Sequence, residues 1–175
     1  MQLKGKKVIL RKIKLSDAKN FVKWFNDPLV NKFMFVRGIT LAKERKYILE
    51  RISGKIKNAL HFCIDTFEGI HIGSVSLENI HERNKNSSFG IIIGNKNYWN
   101  KGYGEEASRL IIDYGFKKLK LHRIELDVYS YNKRAIKLYK KLGFKKEAIR
   151  REHNFYNGKF YDTIIMSLLK REWVN

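Results

Sequence analysis

The chain has one cysteine, one proline and few acids: 17 Asp and Glu stand against 37 Lys and Arg in 175 residues. The lone Cys63 has no internal partner for a disulfide, which fits a reducing, cytoplasmic setting. Within the apolar run from Leu60 to Thr66 it reads as a small buried hydrophobe rather than a nucleophile. No apolar run approaches the ~18 residues of a membrane span, and the opening from Met1 to Lys7 lacks the apolar core of a signal peptide. No G-K-[ST] ends a P-loop, no H-E-x-x-H or C-x-x-C offers metal ligands, and the five histidines show no ligand spacing. A resident metal is not expected.

What is abundant is positive charge, +20 in all, with lysine supplying 26 of the 37 cations. From Gly115 to Phe160 fourteen Lys and Arg face four Asp and Glu. Such a field attracts polyanions such as RNA, acidic protein tails or nucleotide sugars. The alternative is a solvated lysine-rich surface with no partner of its own. The lysines lack the regular aromatic interleaving of base-stacking modules. Hydrophobic residues at 43% and aromatics at 13% exclude disorder. The length predicts one domain over residues 1–175.

Val8 and Leu10 alternate with polar neighbours between Lys7 and Ile13, a first strand. Ser16-Asp17 opens a helix with Phe21, Trp24 and Phe25 on one face, and Pro28 stops it. Leu29 to Gly38 reads as irregular and rich in apolar residues: Val30, Phe33, Met34, Phe35 and Val36. Thr40 starts a second helix that runs to about Ser53. Leu60–Thr66 and Ile70–Leu77 are strands joined at Glu68-Gly69, and a phase slip at Gly73-Ser74 predicts a bulge. Ser88–Ile93 is too apolar to alternate, the mark of a strand covered on both faces. Arg123–Tyr129 alternates again. Asn132 caps a short helix with Ala135, Leu138, Tyr139 and Leu142 on its apolar face and Gly143 at its C-cap. Two last strands flank Asn157-Gly158, a type I′ hairpin signal.

The rest is organised around Tyr98-Trp99-Asn100-Lys101-Gly102-Tyr103-Gly104-Glu105-Glu106-Ala107. It follows the Phe89–Ile93 run and leads into a helix whose apolar face is Ala107, Leu110, Ile111 and Tyr114. Two glycines at a helix start leave backbone N–H groups bare, and with the helix dipole and Lys101 they make a phosphate cradle. Gly102, Gly104 and Ala107 also fit G-x-G-x-x-G/A, with Glu125 about twenty residues on. The dinucleotide turn, however, needs its first glycine at the strand end, whereas Gly94 to Lys101 intervene and hairpins follow.

This stretch resembles the acetyl-CoA loop of the GNAT acetyltransferase superfamily, and Asn132-Lys133-Arg134-Ala135-Ile136-Lys137-Leu138-Tyr139 resembles its second signature. The likeness is strongest from about Ser87 to Trp173, toward the branch of ribosomal-protein, spermidine and nucleotide-amino-sugar N-acetyltransferases. Three residues before the first glycine the family often has Gln or Arg; here Trp99 stands, as is common in this branch. The resemblance implies an α+β fold: a mixed, mostly antiparallel sheet of about seven strands flanked by about four helices.

It also implies an acetyl-CoA-dependent N-acetyltransferase. The pantetheine arm would pair like an extra strand with the backbone of Ile91, Ile92 and Ile93. Lys101, Gly102, Tyr103, Gly104 and Glu105 would hold the phosphates, the side chains of Glu105 and Glu106 turned away. Asn132 and Ala135 would contact the arm, and Tyr139 would be the general acid for the leaving thiolate. From the residues alone, Tyr139 reads as a packing tyrosine on an apolar helix face, and the family match reverses that. In model compounds phenol and thiol differ by only about 1.5 pKa units, so that proton transfer is cheap. No general base is singled out, although Glu78, His81, Glu152 and His153 are possible.

The acceptor is expected to be a small-molecule or peptide amine: a protein N-terminus, ribosomal in this branch, or a nucleotide-linked amino sugar. The pattern Arg151-Glu152-His153-x-x-x-x-Gly158-Lys159-x-x-Asp162 resembles that of amino-sugar acetyltransferases. A polyamine is disfavoured by the charge of +20 and by the single acid, Asp27, between Asn26 and Thr40. The alternative reading is a non-enzymatic basic binder of RNA or ribosome on the same fold. The expected assembly is a monomer or homodimer, with no membrane partner.

Overall fold

In the computed structural model, which describes residues 1–34 and 38–174, the alternation of Val8 and Leu10 puts both side chains in the core with no exposed surface. Their strand, β2 (Val8–Lys12), follows a short β1 (Gln2–Lys4) that extends the sheet by one strand beyond expectation. Then come α1 (Ala18–Phe25), α2 (Pro28–Asn31), α3 (Leu41–Ile52), β3 (Leu60–Thr66), β4 (His71–His81) and β5 (Asn86–Ile93). The chain continues with α4 (Tyr103–Lys117), β6 (Arg123–Tyr129), α5 (Lys133–Lys141), β7 (Lys145–Tyr156) and β8 (Lys159–Leu169). The described residues thus form eight strands and five α-helices, where seven and four were expected. The added helix is a single turn: Pro28 ends α1 and also starts α2 at its first position, with the Asp27 carboxylate accepting the Leu29 N–H at 2.9 Å. Phe35 and Val36 lie outside the described residues.

The sheet runs β1-β2-β3-β4-β5-β6-β8-β7, antiparallel except for the β5–β6 pair. Strand alternation sends Phe62 and Ile64 to the face covered by α4 and α5, and Cys63 to the face covered by α1 and α3. On the second face Phe21, Trp24, Val30 and Ile48 close over Cys63, whose thiol burial pushes far up the scale. Asp17, Cys63 and His71 converge there, but both Asp17 oxygens are engaged by the Arg11 guanidinium at 2.8 and 2.9 Å, which makes the cluster an ion-paired core.

Two local expectations shift by a residue. The β3–β4 register jumps from Ile64↔Gly73 to Asp65↔His71, which centres the bulge on Ile72. Its carbonyl accepts the N–H groups of both Gly94 and Asn95. The buried stripe of α4 is Ala107, Ser108, Ile111, Ile112, Gly115 and Phe116, rotated away from Tyr114. Ser108 tolerates burial because its hydroxyl donates to the Gly104 carbonyl at 2.7 Å. Gly115 is needed where Leu77 presses in: an added Cβ would stand 2.9 Å from it.

Candidate active site

The site begins with a strand pair that comes apart. β5 and β6 pair only at Asn86↔Arg123, Ser87↔Ile124 and Ser88↔Glu125. Beyond these, β5 follows β4 to Gly73↔Ile93, while β6 follows β8 to Tyr129↔Thr163. A cavity of about 530 Å³ fills the opening, walled by Phe89–Ile93, Asp127–Tyr129, the start of α4 and one face of α5.

Alternation decides which backbone groups face it. Ile92 is committed to β4, where it pairs opposite Ser74. Gly94 donates to Ile72 on the same side. Ile91 and Ile93 therefore turn their backbone toward the opening. The Ile93 carbonyl is taken by the indole N–H of Trp99 at 2.6 Å, which leaves the Ile91 groups at a strand edge that is unpaired among the described residues.

At the head of the cavity Gly102 has φ +86°, a left-handed conformation that glycine adopts without strain. The first helical bond of α4 runs from the Glu106 N–H to the Gly102 carbonyl, so the N–H groups of Tyr103, Gly104 and Glu105 have no partner within the helix. Glu106 turns away and accepts the N–H groups of Lys6 and Lys7. Glu105 does not: its side chain lines the cavity and bonds Lys141 at 2.7 Å and Arg109 at 3.3 Å. Those cations hold its carboxyl below the usual range, Lys141 foremost. Lys101 and Tyr103 line a separate shallow depression with Lys6, Lys7, Phe67 and Glu68.

Helix α5 forms the opposite wall. Asn132 caps it through its side-chain oxygen, which accepts the Ala135 N–H at 3.2 Å. At its other end the Gly143 N–H bonds the Lys140 carbonyl and the Phe144 N–H bonds the Tyr139 carbonyl, a Schellman turn around Gly143 at φ +94°. Between these caps Tyr139 points into the cavity lining, its ring edge-on to Phe89 at 6.0 Å. Burial pushes its phenol up to about 12. Ile91, Ile92, Ile93, Gly102, Gly104, Glu105, Asn132, Ala135 and Tyr139 thus share one cavity, and Lys101 and Tyr103 do not.

Among the lining residues, the cations of α5 and Asp127 went unpredicted, whereas the resemblance places the segment after α1 in the wall of the site. Arg134, Lys137 and Lys141 recur along one face of α5, and the Arg134 guanidinium lies 4.0 Å over the Trp99 ring. Val30, Phe33 and Met34 close the far end, with Phe33 stacked on Tyr131 at 5.7 Å. Asp127 stands there on β6, ion-paired with Arg150. None of the possible bases Glu78, His81, Glu152 and His153 lines the cavity: Glu78 is held by Arg51 at 2.9 Å and His153 by Thr163 at 3.1 Å. No helix among the described residues is long and apolar enough to cross a membrane.

An unpaired strand edge, bare helix amides and three cations suit an elongated ligand with an amide-bearing arm and a phosphorylated end. Comparison with known proteins agrees. The acetyltransferase (GNAT) domain model matches residues 7–145. The uncharacterized N-acetyltransferase p20 of Bacillus licheniformis is 33% identical over 172 residues, 95% of each chain. Spermidine N(1)-acetyltransferase of Escherichia coli is 34% identical over 107 residues, 61% of this chain and 57% of that one. The crystal structure of spermidine N-acetyltransferase from Vibrio cholerae, in complex with CoA and spermine, shares the fold with a TM-score of 0.89. It is 24% identical and covers 98% of this chain and 100% of that one. A purely electrostatic RNA or ribosome binder is thereby displaced as the reading of the fold. The chain belongs to the GNAT acetyltransferase family and is an acetyl-CoA-dependent N-acetyltransferase.

Proposed function

We propose that this enzyme, acting as one domain, acetylates a primary amine by direct transfer, with Tyr139 protonating the departing thiolate. The observation that carries the reading is the splayed β5–β6 edge with Tyr139 in its wall. Acetyl-CoA supplies the activated acetyl group. The Ile91 backbone would pair with its pantetheine arm, and Asn132 and Ala135 would bound the arm from α5. The amides of Gly104 and Glu105, with Arg134 and Lys137, would receive its phosphates. Lys101 contributes to the local field from outside the cavity.

Burial sets the proton chemistry. With its phenol at about 12, Tyr139 stays protonated, a donor throughout the neutral range. The gap to a thiol in water is wider than the model compounds suggest. The same apolar wall penalises a thiolate formed there, which draws the two proton affinities back together.

For the acceptor, a protein N-terminus or a nucleotide-linked amino sugar fits best. Both acids of the cavity, Glu105 and Asp127, already hold cations, and Arg134 and Lys137 add positive charge. Relatives named spermidine and ribosomal N-acetyltransferases make polyamines and ribosomal N-termini the comparison set. The test is thiol release from acetyl-CoA with peptide N-termini, a nucleotide-linked amino sugar and spermidine. Release with either of the first two and not with spermidine supports the assignment. A preference for spermidine would replace it.

A further inference from the structure

Glu105 is the one acidic side chain at the phosphate end of the cavity, and its surroundings are those of a bound anion. It sits in the first turn of α4, beside the bare amides, where the helix dipole favours negative charge. One of its oxygens takes the Lys141 ammonium at 2.7 Å and the other the Arg109 guanidinium at 3.3 Å. Its side chain is 24% exposed, so these bonds are partly shielded from water. Arg134 and Lys137, on the same face of α5, hold no carboxylate among the described residues.

We infer that the Glu105 carboxylate is a stand-in for phosphate: it occupies Lys141 in the free enzyme and must yield it when CoA binds. The inference rests on the placement of CoA in this cavity proposed above. In a protein of +20, an unguarded cluster of amides and ammonium groups would collect any small anion. A tethered carboxylate fills that role at high effective concentration. A ligand displaces it only by bringing more than one negative charge and a second anchor, here the pantetheine arm along β5. Glu105 therefore lowers CoA affinity while raising selectivity, the reverse of a residue that grips the cofactor.

Calorimetric titration of the wild type, Glu105→Gln and Lys141→Met with CoA, pantetheine and inorganic phosphate tests this. Glu105→Gln is expected to bind CoA about three- to tenfold more tightly. It should also gain measurable phosphate binding and leave pantetheine binding unchanged, while Lys141→Met binds CoA more weakly. Unchanged or weakened CoA binding in Glu105→Gln would overturn the inference, as would an equal shift for pantetheine, which lacks the phosphates. Failure of the wild type itself to bind CoA would remove the cavity assignment and the inference with it.

Discussion

The indole N–H of Trp99 donates to the Ile93 carbonyl at 2.6 Å, and Arg134 lies over the face of that ring. One side chain therefore ends the open edge of β5 and ties it to α5. Replacing it by phenylalanine keeps a ring under Arg134 and leaves the Ile93 carbonyl without a donor. Trp99→Phe should lose about 1–3 kcal/mol of stability and raise the KM for acetyl-CoA more than that for the amine. Denaturant titration and steady-state kinetics read the two effects separately.

Tyr139→Phe removes a hydroxyl and little volume. Turnover should fall by about 10²-fold or more, as for loss of a general acid, with CoA affinity nearly unchanged. Because burial raises the phenol to about 12, the wild-type profile should show no Tyr139 break near neutral pH. An unaltered rate in the variant would leave Tyr139 as a packing residue beside Phe89.

His61 lies on the opposite face, with both ring nitrogens buried and without a hydrogen bond among the described residues. Glu78 is 4.0 Å away, too far for a hydrogen bond. Burial foremost, with Arg51 adding to it, lowers the imidazole to about 3 from 6.5. The folded state thus binds fewer protons than the unfolded one between those values. The stability held by neutral His61 is complete above pH 6.5 and is lost as pH falls toward 3. His61→Phe should flatten that decline and leave stability at pH 8 equal or higher, as followed by thermal unfolding across pH.

Gly94 carries the fourth expectation. A Cβ there would meet the Trp24 indole at 2.0 Å, and Trp24 is locked against Phe21 and His71. Gly94→Ala should cost about 1–3 kcal/mol and shift the strand end that leads into the phosphate loop, seen as a lower thermal midpoint and a higher KM for acetyl-CoA.

What the sequence disclosed follows a physical division. Asn132, Ala135 and Tyr139 were legible because they match a family signature, with helical spacing putting them on one face, and Gly102 because it matches the family's phosphate loop. The splay of β5 from β6 has no local signature, since Ser88–Ile93 reads as one continuous strand yet the parting falls between Ser88 and Phe89. Contacts such as Phe33–Tyr131, Arg134–Trp99 and Glu105–Lys141 span many residues and exist only once the strands and helices are placed. Lys101 and Tyr103 belong to the motif but face the other way, because the left-handed turn at Gly102 redirects the chain between them.

Only three residue pairs join β1–β5 to β6, β8 and β7. The two blocks of sheet are therefore stitched at one end and parted at the other. A substrate arm lying in the parting would act as a missing rung, and its loading would be felt as rigidity far from the reacting atoms. The amide of Ile91 should exchange with solvent rapidly in the empty enzyme and slowly once acetyl-CoA is present, while that of Ile92, bonded to β4, is protected in both. The melting temperature would then report cofactor supply, which makes the enzyme's lifetime depend on its own co-substrate.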